Sequence, residues 1–116
     1  MDKIYISGMI TGLKHDQYRQ KFKEAAQLLR ETGHDPIDPC ELGKPDHHSW
    51  DYYMRKAIPQ LCACDGIYML EGWEQSKGAT LELHIARSLG MDIINNTNKQ
   101  TYNTTLDYGN YGQEEF

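Results

Sequence analysis

Gly66-Ile-Tyr-Met-Leu-Glu-Gly-Trp-Glu-Gln-Ser-Lys-Gly-Ala-Thr-Leu-Glu-Leu-His-Ile-Ala-Arg-Ser-Leu-Gly-Met-Asp-Ile-Ile94 decides the fold. Gly66 to Leu70 is a short apolar run followed at once by turn residues, the pattern of a buried strand. Glu71 to Ser76 reads as its exit loop. Ser76 has the chemistry of a helix N-cap. From Lys77 the apolar period changes to about 3.6 residues. Gly90 closes that helix, and Met91 to Ile94 reads as the next strand. Strand, helix and strand in so short a span make a βαβ unit with parallel strands.

The helix holds an anomaly. At about 100° per residue, Ala79, Leu83, Ile85, Ala86 and Leu89 gather around the direction of Glu82. Lys77, Thr80, His84, Arg87 and Ser88 point the other way. Glu82 is thus the one polar residue in an apolar stripe. A buried carboxylate without partners costs several kcal/mol. Two readings follow. Glu82 is a functional group, or it is a structural glutamate bonded to a neighbouring loop.

The same alternation extends towards the N-terminus. Residues 3–7, Lys-Ile-Tyr-Ile-Ser, read as a first buried strand, and Gly8 to Gly12 as a turn with two glycines. Asp16 to Thr32 is an amphipathic helix with Tyr18, Phe22, Ala25, Ala26 and Leu29 as its stripe. Gly33 stops it. His34 to Pro39 is a short second strand whose prolines suit a sheet edge. Residues 40–48 form a polar loop. Ser49 caps a second helix, and Pro59 within that helix predicts a kink or a break. One of Tyr52 and Tyr53 is expected in the core. Residues 1–96 are therefore read as one doubly wound α/β domain, flavodoxin-like, with a mostly parallel sheet of four to five strands. Residues 97–116 are an Asn/Tyr-rich tail with almost no aliphatic residues. It is either disordered or docked on a partner subunit through its aromatics.

Composition narrows the function classes. The chain has 116 residues and a net charge of −5, with no Lys/Arg cluster. Nucleic-acid binding has little support on that basis. No apolar run approaches about 18 residues, so no membrane span is expected. Three cysteines argue against a disulfide framework and for a reducing, cytoplasmic setting. Cys62-x-Cys64 with His47 and His48 does not have a standard zinc spacing. No metal and no cofactor are implied. His47 and His48 are solvated loop residues or line a pocket.

In doubly wound sheets, ligands bind at the carboxyl ends of the strands. Three segments converge there: the Ser7 to Gly12 turn, the loop around His47 and His48, and Glu71 to Gly78 with Glu82 beyond. The start of the Glu82 helix offers unpaired N–H groups that favour an anion, and Gly78 allows close approach to the backbone. An ordinary cap is the plainer reading of Ser76-Lys-Gly78. A ligand held there presents its next atoms to Glu82. A carboxylate set against an anomeric carbon can act as a nucleophile or stabilise an oxocarbenium-like centre. Trp73 either stacks on a nucleobase or packs its own loop, and Tyr5 would by default be core.

Two blocks, Lys3-Ile-Tyr-Ile-Ser-Gly-Met-Ile-Thr-Gly12 and Cys64 to Gly90, resemble the nucleoside 2-deoxyribosyltransferase-like superfamily. The chain looks most like its DUF4406-type members, with deoxynucleoside 5′-monophosphate N-glycosidases as relatives. The superfamily's Ser-x-Gly-x-x-x-Glu pattern falls on Ser76, Gly78 and Glu82. The resemblance covers residues 3–94. It implies Glu82 as nucleophile or oxocarbenium stabiliser, Tyr5 as the tyrosine beside it, and Ser76 and Gly78 as donors to a 5′ group. It implies the Gly8 to Gly12 turn as pocket floor; with Ser7 at the end of the strand before it and Trp73 as a stacking face, the further substrate-binding candidates are Ser7, Gly8, Met9, Gly12 and Trp73. It further implies a homo-oligomer, a dimer or larger, with sites shared between subunits. Many members carry an acidic aspartate where this chain has Ala57. Asp51, nearer the start of that helix, is the candidate replacement, whereas Asp65 begins its strand at the opposite edge. The expected activity is an N-glycosidic bond hydrolase or 2′-deoxyribosyltransferase acting on a (deoxy)nucleoside or its 5′-monophosphate. A non-catalytic nucleotide-binding or nucleotide-signal-sequestering protein using the same pocket is the alternative. A purely structural oligomer held by the tail is a third.

Overall fold

The structure, a computed structural model, describes residues 2–10, 12–42 and 49–95. The expectations for His47, His48 and the tail lie outside the described residues. Four strands, β1 (Lys3–Ser7), β2 (Asp35–Ile37), β3 (Gly66–Met69) and β4 (Asp92–Asn95), form one sheet in the order β2-β1-β3-β4. Every pairing is parallel. Three helices connect them: α1 (His15–Glu31), α2 (Trp50–Cys62) and α3 (Lys77–Ser88). Among the described residues the strand count falls at the lower end of the expected range.

Alternation along β1 builds two cores. Ile4 and Ile6 join Tyr18, Phe22, Ala25, Ala26 and Leu29 of α1, together with Tyr68 and Leu70. Tyr5 faces the other layer, with Ala57 and Leu61 of α2, Ile67 and Met69 of β3, and Ala79, Leu83 and Ala86 of α3. The sheet is therefore covered on both faces, as a parallel sheet requires. The chain leaves β1 in one direction towards β2 and crosses back past it to β3. That reversal puts the topological switch point between the carboxyl ends of β1 and β3.

Helix ends follow from local chemistry. The Lys14 N–H donates to Gln17 Oε1 at 3.1 Å where α1 begins. At its far end the His34 N–H reaches the Leu29 carbonyl at 2.9 Å and the Gly33 N–H the Arg30 carbonyl at 3.1 Å. Gly33 there has φ +90°. This is a Schellman motif, and α3 repeats it. The Met91 N–H bonds Ala86 O, the Gly90 N–H bonds Arg87 O, and Gly90 has φ +72°.

Three expectations are corrected. Of the kink or break expected at Pro59, the break does not occur: α2 runs on to Cys62. Proline removes one intrahelical bond, but Met54, Ala57 and Leu61 are all buried along one stripe, and that packing holds the last turn. Leu89 is not in the α3 stripe: it is the residue after the helix and is 59% exposed. The loop expected from residue 40 instead begins with a 3-10 turn, Pro39–Leu42. Pro36 lies on the edge strand β2, where a missing N–H costs least. Asp65 stands at the amino edge, where its carboxylate accepts from the Lys3 N–H at 2.9 Å. No helix among the described residues is long and apolar enough to cross a membrane.

Candidate active site

Glu82 is the sixth residue of α3 and points into the sheet beneath it, only 6% exposed. Its partners come from β1, not from a loop. The Tyr5 hydroxyl donates to Oε2 at 2.6 Å, and the Ser7 hydroxyl donates to Oε1 at 2.6 Å. Period-two alternation sends Tyr5 and Ser7 to the same face of β1, and that face lies under α3. Each oxygen of the carboxylate thus has its own short hydroxyl donor.

Burial pushes the Glu82 carboxyl up to about 7, while the Ser7 and Tyr5 hydrogen bonds oppose that rise by favouring the charged form. Tyr5 moves in the same direction. Burial, followed by the adjacent Glu82 charge, holds its phenol well above its ordinary range, so it remains a donor. The result is a dry carboxylate poised near neutrality and fixed in direction by two neutral groups.

Ser76 is the N-cap of α3, and its hydroxyl accepts from the Ala79 N–H at 3.1 Å. Gly78 in the first turn faces α2. A Cβ there would sit 3.2 Å from Met54 Sδ and 3.5 Å from Trp50 Nε1. The small residue at 78 lets the two helix starts approach each other. Trp50 in turn carries the Lys77 ammonium 4.0 Å above its ring, a cation–π contact across the same junction. Trp50 and Met54, four apart on one helix face, were not singled out by sequence. Their spacing puts both on one face of α2, but which element that face meets is visible only in the folded chain.

The turn after β1 approaches the exit of β3. A Cβ on Gly8 would lie 2.7 Å from Leu70 Cδ1 and 2.9 Å from Leu70 Cβ. Gly12 adopts φ +91° just ahead of α1, a conformation that favours glycine. Met9 and Leu13 line a cleft with Leu70, rimmed by Lys21, Glu71 and Gln75. Trp73 sits in a 3-10 turn, Trp73–Gln75, half-buried against the α2–α3 core. Glu82 and its donors lie on the α2–α3 face of the sheet, whereas the cleft of Met9, Leu13 and Leu70 lies towards α1 and is lined by neither Ser7 nor Glu82.

Ala57 and Asp51 stand in different settings. Ala57 is buried in the apolar core between α2 and the sheet. Asp51 is in the first turn of α2 and fully exposed. A hydrogen bond from Ser49 holds its carboxyl below the usual range, and Arg55 and Lys77 add to that. Cys62 is exposed, Cys64 half-buried, and both are free thiols. Among the described residues no group of three His, Cys, Asp or Glu side chains is gathered to hold a metal ion.

Comparison with known proteins agrees with this architecture. The DUF4406 family, described as a domain of unknown function, matches residues 2–95. No curated protein matches. Among solved structures, the chain is similar to a 2-deoxyribosyltransferase from Bacillus psychrosaccharolyticus, with TM-score 0.62 and 20% identity over 80% of this chain and 70% of that one. It is also similar to the CMP N-glycosidase of Clostridium botulinum, with TM-score 0.50 and 17% identity over 94% of this chain and 81% of that one. The chain therefore belongs to the DUF4406 family, on the fold of the nucleoside 2-deoxyribosyltransferase-like proteins.

Proposed function

We propose that the protein breaks or exchanges an N-glycosidic bond in a (deoxy)nucleoside or its 5′-monophosphate. One observation carries the reading: a buried glutamate clamped by Tyr5 and Ser7 at the switch point of the sheet. Glu82 attacks or stabilises C1′, and Tyr5 fixes the direction of its carboxylate. The start of α3, at Ser76 and Gly78, receives the 5′ group. The Gly8–Gly12 turn and Trp73 enclose the sugar and base. Water as acceptor makes the reaction a hydrolysis, and a second base makes it a transfer. The similarity to a deoxyribosyltransferase and a CMP N-glycosidase supports the substrate class.

Incubation with a panel of nucleosides, deoxynucleosides and their 5′-monophosphates, with chromatography for free base, tests it. Base release that disappears in Glu82→Gln supports the reading. Release unchanged in that variant rejects the mechanism.

A second reading has its own observation. Ala57 is apolar and buried, and Asp51 is exposed and acidic, which leaves the described part of the site without a resident proton donor for a leaving base. The pocket then binds a nucleotide without cleaving it. Tight binding that survives Glu82→Ala, with no base released from any substrate, favours this alternative.

A further inference from the structure

We infer that Ser7 divides the labour between the two oxygens of Glu82, marking Oε1 as the atom that bonds C1′ and aiding its later departure. This rests on the glycosyl-transfer reading above. Ser7 is the last residue of β1, at the carboxyl end of the strand. Tyr5 lies two residues deeper, about 6.6 Å along the strand. Ligands enter from the carboxyl edge. The donor to Oε1 is therefore anchored at the carboxyl edge of β1, and the donor to Oε2 two residues deeper in the strand.

The electron balance gives each donor a different task. In the first step a lone pair of Oε1 forms the Oε1–C1′ bond. The C1′–N bond breaks, and its electron pair leaves on the base, which takes a proton from solvent. Oε1 becomes an ester oxygen, a poor acceptor, so the Ser7 hydroxyl is released from it. Oε2 becomes the ester carbonyl and still accepts from Tyr5. In the second step the oxygen of water or of another acceptor bonds C1′, and the acceptor loses a proton. The Oε1–C1′ pair returns to Oε1, where Ser7 donates again. Ser7 is thus a positioning residue whose bond strengthens as the carboxylate leaves.

The surroundings isolate this effect. Tyr5, which bonds Glu82, belongs to an apolar cluster with Ile67 and Met69 of β3, Ala57 and Leu61 of α2, and Ala79, Leu83 and Ala86 of α3. Among the described residues, Tyr5 is the titratable group beside it, and its phenol stays protonated.

Ser7→Ala tests the assignment. The acid limb of kcat/KM is expected to move up by about 1–2 pH units, because one donor to the charged form is gone. The glycosyl-enzyme is expected to accumulate, as seen by intact mass spectrometry after acid quench. Ser7→Cys, close in volume and a weaker donor, gives a smaller shift and guards against a folding defect in the alanine variant. An unchanged acid limb with no adduct overturns the inference. Infrared titration of Glu82 without substrate, with Glu82→Gln as the blank, is independent of turnover. No rise of its pKa in Ser7→Ala overturns the Ser7 clamp. A rise accompanied by no base release from the wild-type protein overturns the glycosyl-transfer reading, and the attack step with it.

Discussion

The Tyr5 hydroxyl meets Glu82 Oε2 at 2.6 Å across 77 positions of sequence. The contact joins β1 to α3 and is closed to solvent at both ends. A carboxylate held this way costs stability when charged.

Stability is expected to fall with rising pH through Glu82. Its carboxyl titrates at about 7 in the fold against an ordinary 4.5. Between those values the folded chain holds a proton that the unfolded chain has lost, so stability drops across that window and levels off above it. The contribution amounts to about 3 kcal/mol. Glu82→Gln removes it. Calorimetry from about pH 5 to about pH 8 should find the variant gaining on the wild type as pH rises, and parallel curves would reject the assignment.

Activity is expected to run the opposite way. An attacking carboxylate must be ionised, so kcat/KM rises with pH through about 7. Glu82→Gln should lose roughly 10³-fold or more of base release. Initial rates across pH on the best substrate of the panel provide the check.

Asp51→Asn is expected to leave kcat at neutral pH within about tenfold. The wild-type carboxyl is exposed and held below its ordinary range, so it carries no proton to give. A loss of roughly 10²–10⁴-fold would instead identify it as the general acid.

Gly8→Ala is expected to destabilise by about 1–3 kcal/mol through overpacking. Leu70 Cδ1 can rotate away, but Leu70 Cβ, 2.9 Å from the new methyl, is fixed to β3's exit. The turn bearing Met9 must shift, so substrate KM should rise together with the loss in Tm. Denaturant melts and KM measured on one preparation compare the two.

Much of this was legible in sequence because local chemistry and global packing agree. The α1 stripe of Tyr18, Phe22, Ala25, Ala26 and Leu29 is buried as its period implies, and Gly33 and Gly90 sit where left-handed caps need them. Glu82 stood out because an apolar stripe has no other use for a charge. Its partner Ser7 was legible only as a residue at the ligand edge. That its hydroxyl turns to Glu82 depends on how α3 lies over β1, 75 positions away. Pro59 misled because its local cost is real, while the buried Met54, Ala57 and Leu61 that outweigh it belong to tertiary structure. Trp50 over Lys77 is likewise a meeting of two helix starts that no single segment encodes.

Because β1 sends Ile4 and Ile6 to one layer and Tyr5 and Ser7 to the other, four consecutive residues carry two separable inheritances. Exchanges at 5 and 7 can retune the reaction while the α1 layer keeps its packing. Exchanges at 4 and 6 drift among aliphatics without touching the carboxylate. Only a one-residue slip of the strand couples them, since it would trade every chemical side chain for a core one at once. An insertion or deletion inside β1 is thus a change that would cost the core and the carboxylate clamp together.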